Sequence, residues 1–294
     1  MSQVSMFSKE NVTRSERSLH TPGAFAKQNL LYVQEVGRLE SLTPHRCIRE
    51  NLDSYLFMVV LEGKGTLTVE NREYGISKGD CAFIDCMKHY EHISDEQDAW
   101  KLAWVHFNGV GAKAYFDLFC KYCQGNTFHT VKIDMWNELI GQLLEKQKDK
   151  SFLAELHSAE LLLQLLNNII EAVVDTDALR AEDFKQKNRV IREFLNEEYA
   201  NPDVINSLEK NIGNTIEELN ADFVRYYGIS VNEYLLNKRL NVAKELLRFT
   251  IKTVEEVAKE SGIESLAVME KLFVEKENIT PQEYREKWAQ WIRM

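Results

Sequence analysis

The sequence has few cysteines and prolines, and it has no long apolar run. Five of its 294 residues are Cys and four are Pro. The most apolar stretches, residues 55–61 and 161–170, are far shorter than the ~20 residues that cross a bilayer, so we expect no membrane partner. The cysteines are too sparse for a disulfide scaffold, so we expect reduced thiols and a cytoplasmic protein. Residues 1–18 are polar and lack the apolar segment of a signal peptide.

Positive charge is scarce as well. Lys and Arg number 36 against 46 Asp and Glu, which gives a net charge of −10. This balance argues against a protein that coats nucleic acid without sequence preference. The acidity is uneven, because residues 1–184 carry a net −8 and residues 185–294 only −2. The length favours two domains, and 44% apolar with 28% charged residues is typical of a globular protein.

Motifs of common enzymes are missing too. We find no Gly-rich phosphate loop, no His-Glu-x-x-His and no Gly-x-Ser-x-Gly. Cys120-x-x-Cys123 has no second pair at zinc-ribbon spacing, so we expect no metal there. We therefore expect a protein that is not an enzyme and needs no cofactor.

The first part of the chain, to about residue 131, has the pattern of β-structure. Residues 55–61 form an apolar run between turn signals, and residues 66–70 alternate with period two. Further strands are predicted at 81–84 and 100–107. Short strands with a turn every 8–12 residues favour a small barrel or a sandwich.

From residue 112 the period becomes helical, with amphipathic segments at 112–123, 134–148 and 152–174. The third segment carries a heptad seam, formed by Leu156, Ala159, Leu163, Leu166, Ile170 and Val173. A second apolar stripe on the same helix could pack on the barrel while the heptad seam contacts another chain. The alternative is a helix that packs only in the core of its own chain. We predict a dimerisation segment at 132–174, with a homodimer formed through Leu156, Leu163, Leu166 and Ile170.

Residues 175–188 show no strong period and are predicted to be a linker, and from residue 189 onward the chain is helical. This helical part repeats itself at an offset of 50 residues, in the pairs Phe223/Phe273, Val224/Val274, Ile229/Ile279, Ser230/Thr280, Glu233/Glu283 and Tyr234/Tyr284. Helix starts of the capping-box type are predicted at Thr215/Glu218, Ser230/Glu233, Thr253/Glu256 and Thr280/Glu283. Each repeat therefore indicates a helix-turn-helix unit, whose second helix enters a major groove in DNA-binding proteins.

The two units are joined by one predicted helix over residues 231–248. Its 18 residues would span about 27 Å. This length is close to the ~34 Å between successive major-groove faces on one side of B-DNA. One chain could thus contact two consecutive groove segments.

These residues resemble the AraC/XylS family of bacterial transcription regulators. The likeness is carried by the pattern Tyr-Leu…Arg-Leu…Ala…Leu-Leu within residues 234–247 and by Thr-Pro-Gln-Glu-Tyr-Arg at 280–285. In the first half, Gly-Lys-Gly at 63–65, Lys-Gly-Asp at 78–80 and Trp-Val-His-Phe at 104–107 are similar to the family's cupin-type barrel.

The resemblance implies an α+β chain with an effector-binding barrel at 1–131 and a double helix-turn-helix domain at 189–294. It implies double-stranded DNA, a small effector that is often a sugar, and RNA polymerase as partners. Several positions depart from the family pattern, namely Glu209 in place of a small Ala, Ile263, Val268, Met269, Val274, and Asn278 in place of Gly.

The same resemblance places residues at the DNA. Base contacts are expected from Glu217, Asn220, Ala221, Ser265, Leu266, Glu270 and Lys271. Phosphate contacts are expected from Arg225, Lys238, Lys271 and Lys276. An Asn side chain can pair with adenine, and a Glu side chain can accept from cytosine. However, the second helix of each predicted unit is acidic, and each of these residues could instead be a solvated surface group. A relative that regulates through protein contacts without binding specific DNA is the alternative.

The barrel strands carry the expected effector contacts. His89, His92 and His106 offer polar groups to a hydroxylated ligand, and Arg49 offers a donor fork. Trp104 offers an aromatic face on which a sugar could stack, or it is a core residue. The His-x-His…Glu cluster of a metal cupin is absent, so a cupin enzyme has little support and no metal is expected.

Overall fold

The chain folds as two units, Met1–Thr176 and Asp177–Met294. A computed structural model describes residues 12–149, 151–174 and 182–289. The first unit is β-rich with helices at its C-terminal end, and the second is helical, so the predicted α+β class is confirmed.

The described strands of the first unit are β1 (Thr13–Leu19), β2 (Leu31–Ser41), β3 (Arg46–Arg49), β4 (Tyr55–Glu62), β5 (Lys64–Val69), β6 (Arg72–Ser77), β7 (Asp80–Asp85), β8 (Tyr90–Ser94), β9 (Lys101–Gly109) and β10 (Thr127–His129). They form a six-stranded sheet in the order β1-β2-β9-β4-β7-β10 and a four-stranded sheet in the order β3-β8-β5-β6. The paired strands of both sheets are antiparallel.

Alternation along β4 shows that the larger sheet contributes to two hydrophobic clusters, one on each of its faces. Leu56 and Met58 point into the cluster between the two sheets, whereas Phe57 and Val59 point to the other face of the larger sheet. This face is covered by helices, which in the described first unit are α1 (Ala24–Asn29), α2 (Ala112–Tyr122), α3 (Ile133–Lys146) and α4 (Phe152–Val173). The ring of Trp136 on α3 lies 4.9 Å from that of Phe57.

Helix α4 belongs to this core, which corrects one part of the predicted dimer face. Leu166 is fully buried in the hydrophobic core of its own chain, so it is unavailable to a partner. Leu163 is 44% exposed, and Leu156 and Ile170 are half-buried. The two apolar stripes of α4 overlap at Leu166. The Leu166 side chain packs in the core with the stripe that contacts the sheet.

The described helices of the second unit are α5 (Glu182–Glu197), α6 (Val204–Ile212), α7 (Ile216–Tyr227), α8 (Val231–Phe249), α9 (Val254–Glu260), α10 (Leu266–Glu277) and α11 (Pro281–Trp288). Of the predicted linker, residues 175–181 lie outside the described residues. Residues 182–188 are helical, so this part of the linker prediction is wrong. The apolar pattern of this helix is interrupted because the buried position 188 holds a polar residue, Asn. Its Nδ2 donates to the Phe184 carbonyl at 2.9 Å.

The internal repeat is visible as repeated packing. Phe223 and Tyr234 meet edge to face with ring centres 5.5 Å apart, and Phe273 and Tyr284 do the same at 5.5 Å. Helix α8 serves both repeats. Its first half contributes to one hydrophobic cluster, with Val231 and Leu235, and its second half to another, with Leu240, Ala243 and Leu247.

The predicted helix starts are present. Complete capping boxes form at Thr215, Thr253 and Thr280. Ser230 accepts from the Glu233 amide without the reciprocal bond. Asn278 ends α10 at φ 58°, where the first repeat has Gly228 at φ 77°, so Asn occupies the left-handed position that favours glycine.

Candidate effector cavity and nucleic-acid interface

A cavity of about 230 Å³ lies between the two sheets of the first unit. It is many times larger than the ~10–15 Å³ that one water requires. Strands β1, β2, β3, β4, β8 and β9 contribute its walls. The lining residues are Thr13, Ser15, Arg17, Glu35, Leu39, His45, Cys47, Arg49, Leu56, Met58, Tyr90, His92, Leu102, Trp104 and His106.

Trp104 forms part of the wall because its cross-strand neighbour is glycine. Gly37 pairs with Trp104 between β2 and β9. A Cβ at Gly37 would stand 2.7 Å from Cζ2 and Cη2 of the indole and 2.8 Å from the Glu16 carbonyl oxygen. The absence of a side chain at this position lets the indole lie against the strand.

The cavity imidazoles are held in the neutral form. Burial and, to a smaller extent, interactions with His45 and the Arg49 guanidinium lower the pKa of His92 to about 3. Burial also lowers the pKa of His106 to about 4, and the Arg49 guanidinium adds to this effect. A neutral imidazole can both donate and accept a hydrogen bond, which suits a hydroxylated ligand.

One polar atom of the cavity residues, Nδ1 of His92, is buried without a hydrogen-bond partner in the described part of the chain. The Tyr90 hydroxyl is also buried, and its neighbour is the Cys86 thiol, a weak hydrogen-bond partner. By contrast, His106 Nδ1 is hydrogen bonded to Ser54 Oγ at 3.1 Å, and His45 Nδ1 to Ser41 Oγ at 2.8 Å. Buried polar groups are rarely left unpaired, so His92 Nδ1 is available to a polar group of a ligand or to water.

Four of the five expected effector residues meet in this cavity: Arg49, His92, Trp104 and His106. His89 does not. Its side chain is 46% exposed and its Nδ1 lies 3.4 Å from Glu50 Oε2. The physical reason is alternation, because Tyr90 and His92 face the cavity and His89 precedes the strand on the opposite parity.

The residues that β1 and β2 contribute to the cavity, and His45 and Cys47 beside Arg49, were not predicted from the sequence. Arg17 and Glu35 face each other across β1 and β2, with Nη1 and Oε1 3.6 Å apart. His45 and Cys47 enter from the short segment around β3. The alternation of Thr13, Ser15 and Arg17 was a usable signal, but polar residues at these positions do not show the apolar period that marks a strand.

In the second unit, α7 and α10 are the second helices of the two helix-turn-helix units, and we name them the reading helices. Seven of the ten expected DNA contacts are exposed, namely Glu217, Ala221, Arg225, Ser265, Glu270, Lys271 and Lys276. Ser265 is also the N-cap of α10, because its side chain accepts from the Val268 amide. Leu266 and Lys238 are half-buried, and the Lys238 ammonium lies 5.4 Å from the Tyr199 ring centre.

Asn220 makes a contact within its own unit that we did not expect. Its Oδ1 accepts the Val231 amide at 2.9 Å, which ties α7 to the first turn of α8. This bond gives Asn220 a positioning role between the two helices. A side-chain amide oxygen has two lone pairs, so the expected adenine contact stays a prediction.

Several acidic side chains near the reading helices are neutralised within the unit. Asp222 Oδ2 lies 2.9 Å from Lys187 Nζ, and Glu277 forms an ion pair with Lys244. Glu218 belongs to a capping box. The acidic groups that stay exposed without an ion pair among the described residues include Glu270 and Glu275 on α10.

Comparison with known proteins agrees with both halves of this description. Residues 32–166 match the model of an AraC-like ligand binding domain, and residues 210–287 match that of a helix-turn-helix domain. The chain belongs to the AraC family of transcription regulators. It combines the ligand-binding and helix-turn-helix domains of that family, as the resemblance implied.

Relatives in this AraC family span most of the chain. The lactose operon transcription activator of Staphylococcus xylosus is 22% identical over 233 residues, which cover 77% of this chain and 82% of the relative. The Msm operon regulatory protein of Streptococcus mutans is 22% identical over 241 residues, covering 79% and 84%. An uncharacterized HTH-type transcriptional regulator of Bacillus subtilis, YbfI, is 25% identical over 216 residues, covering 69% and 74%.

One departure from the AraC pattern has a structural explanation. Glu209 stands on α6 where the family usually has a small residue. Its Oε1 accepts the amide of Ile216, the first residue of α7, at 2.7 Å. The carboxylate thus satisfies an N–H group that the start of a helix leaves without an intrahelical partner.

Among the residues that the structure describes, no helix is both long enough and apolar enough to cross a membrane. In the same residues, no group of three or more His, Cys, Asp or Glu side chains could hold a metal ion.

Proposed function

We propose that this AraC-family regulator binds a small hydroxylated effector, of the sugar class, in the cavity of its first unit. The observation that supports this best is the buried and unpartnered His92 Nδ1, in walls that also hold neutral imidazoles and the Tyr90 hydroxyl. Trp104 adds an aromatic face. Two relatives regulate the operons named lactose and Msm, and the first of these names supports a sugar.

We propose that the two reading helices enter successive major-groove segments of one duplex. Helix α8 has 19 residues and therefore spans about 28 Å, which is near the ~34 Å groove repeat. The proposed base contacts are Glu217, Asn220, Ala221, Ser265, Leu266, Glu270 and Lys271. The proposed phosphate contacts are Arg225, Lys238, Lys271 and Lys276.

We also propose a homodimer through the outward face of α4. Leu153 and Leu163 are 59% and 44% exposed, and the half-buried Leu156 and Ile170 continue the same seam at spacings of three, seven and seven residues. The effector would then shift the population between two arrangements of the DNA-binding units in the dimer. The protein would act in the cytoplasm by binding alone, without catalysis, with RNA polymerase as a further partner.

A second function is favoured by the charge of α10. Glu270 and Glu275 are exposed there, and they would repel phosphates. This charge supports a regulator that acts through another protein.

Selection from a randomised duplex pool across a salt series separates the two functions. The DNA reader should enrich one sequence, and its affinity should fall steeply with salt. Lys271→Gln should weaken binding and reduce the salt slope by about one, whereas Lys259→Gln, which changes an exposed lysine on α9, should not. If no sequence is enriched at low salt, the DNA-reading function is wrong and the protein-contact function is favoured.

A further inference from the structure

The cavity has an excess of positive charge. Its charged lining residues, among those described, are Arg17, Glu35 and Arg49. Arg17 and Glu35 lie 3.6 Å apart and offset each other. Arg49 has no carboxylate partner in the described part of the chain, and its Nη1 donates only to the adjacent Ile48 carbonyl at 3.3 Å.

The neighbours of Arg49 show that acids are nearby but engaged elsewhere. Arg46, at the other end of the same strand β3, is held by both carboxylate oxygens of Glu91. Glu50, the next residue in the chain, has its carboxylate beside the His89 imidazole at 3.4 Å. Strand β3 therefore carries Arg46, which is paired with a carboxylate outside the cavity, and Arg49, which lies at the cavity rim without a carboxylate partner among the described residues.

The charge of Arg49 reaches the interior. It contributes to the lowered pKa values of His92 and His106, after burial as the main cause. The other groups at this end of the cavity, His45, Cys47 and Tyr90, carry no negative charge that could balance it. A ligand that covers Arg49 without an anionic group would remove water from a guanidinium and return no opposite charge, which is unfavourable.

We propose that the effector is an acidic sugar, a hydroxylated ring with a carboxylate or phosphate group that binds the Arg49 guanidinium. The planar fork of arginine matches either anion with two parallel hydrogen bonds. The hydroxyl groups of the ring face the Tyr90 hydroxyl, the imidazoles and the indole of Trp104. This inference rests on the proposed function of the cavity, and it narrows the sugar class to charged members.

The test compares neutral and acidic forms of the same ring with the full-length protein. Glucose, glucuronate and glucose 6-phosphate, and the same three forms of galactose, are titrated by calorimetry. For at least one ring, an acidic form should bind ten-fold or more tightly than its neutral form. The uronate and phosphate arms show which anion the site takes.

Two matched variants assign the effect to Arg49. Arg49→Gln should remove the preference for the acidic form, while any binding of the neutral ring remains. Arg46→Gln removes an arginine from the same strand but outside the cavity, and it should keep the preference. Equal loss in both variants would overturn the assignment to Arg49.

The remaining outcomes separate this inference from the proposed function. If a neutral ring binds as tightly as its acidic forms, the acidic class is wrong and the sugar-binding cavity stands. If none of the six compounds binds, both the acidic class and the sugar class are wrong.

Discussion

The indole of Trp104 occupies the space that a side chain at Gly37 would take. The two residues pair across β2 and β9, and a Cβ at Gly37 would come within 2.7 Å of the ring. The glycine thereby sets the position of the aromatic wall of the cavity. Gly37 thus positions the Trp104 ring without contributing a side chain of its own to the cavity.

Gly37→Ala should therefore displace the Trp104 ring and change the cavity. We expect weaker effector binding and a loss of about 1–3 kcal/mol of unfolding free energy, the usual cost of overpacking. Gly75→Ala is the matched control, because a Cβ at this strand glycine meets nothing within 4 Å. Urea unfolding and ligand titration of both variants check the prediction, which fails if the two alanine variants behave alike.

The buried imidazoles predict a loss of stability in acid. In the folded chain the pKa values of His92 and His106 are about 3 and 4, below the ~6.5 of an unfolded histidine. Between these values the unfolded chain binds more protons, so the free energy of unfolding falls as pH drops from about 6.5 toward 4. The slope is at most about 1.4 kcal/mol per pH unit for each group.

Urea unfolding at several pH values between 4.5 and 7.5 measures this slope. His92→Gln should flatten the curve, because it removes one of the buried histidines whose pKa is lowered. His89→Gln changes an exposed imidazole outside the cavity, and its curve should follow that of the parent. A parent curve that does not fall below pH 6.5 would contradict the assignment.

Helix α4 predicts two separable effects of leucine substitution. Leu163→Glu places a charge on the outward seam and should weaken self-association with little change in unfolding temperature. Leu166→Ala removes a fully buried side chain and should cost about 2–5 kcal/mol of unfolding free energy. Sedimentation velocity and thermal unfolding distinguish the two. A Leu163→Glu protein that sediments as the parent does would rule out this seam as the dimer face.

Glu209 predicts a stabilising cap where the family usually has a small residue. Glu209→Ala leaves the Ile216 amide without its acceptor and should cost about 1 kcal/mol, as other lost helix caps do. Glu209→Gln keeps an acceptor and should recover part of the loss. Lys210→Ala, at the next and exposed position of α6, serves as the control in chemical unfolding.

The helical unit was largely predictable because its signals are local. The starts of α7, α8, α9 and α11 follow from hydroxyl residues with Glu three positions later, and α8 ends within one residue of its predicted bound. The cavity was only partly predictable. Trp104 and His106 lie on an apolar strand that the pattern marks, and the structure places both in the wall.

What the sequence could not supply depends on contacts between distant segments. Strand β2 has a mixed apolar and polar sequence, and its course follows from pairing with β1 and β9. The pairing of Gly37 with Trp104 depends on the register of two strands far apart in the chain. Asn220 shows the same limit, because only the folded unit reveals that its Oδ1 accepts a hydrogen bond from the Val231 amide.

Helix α8 has a mechanical consequence for the operator. Its two halves are packed into different hydrophobic clusters, through Leu235 on one side and Leu247 on the other. Helix α8 therefore fixes the distance between the two reading helices. A change in the number of base pairs between the two groove segments cannot be absorbed by bending a flexible joint. If both reading helices bind one duplex as proposed, such a change should break side-chain packing in one cluster or release one reading helix from the DNA.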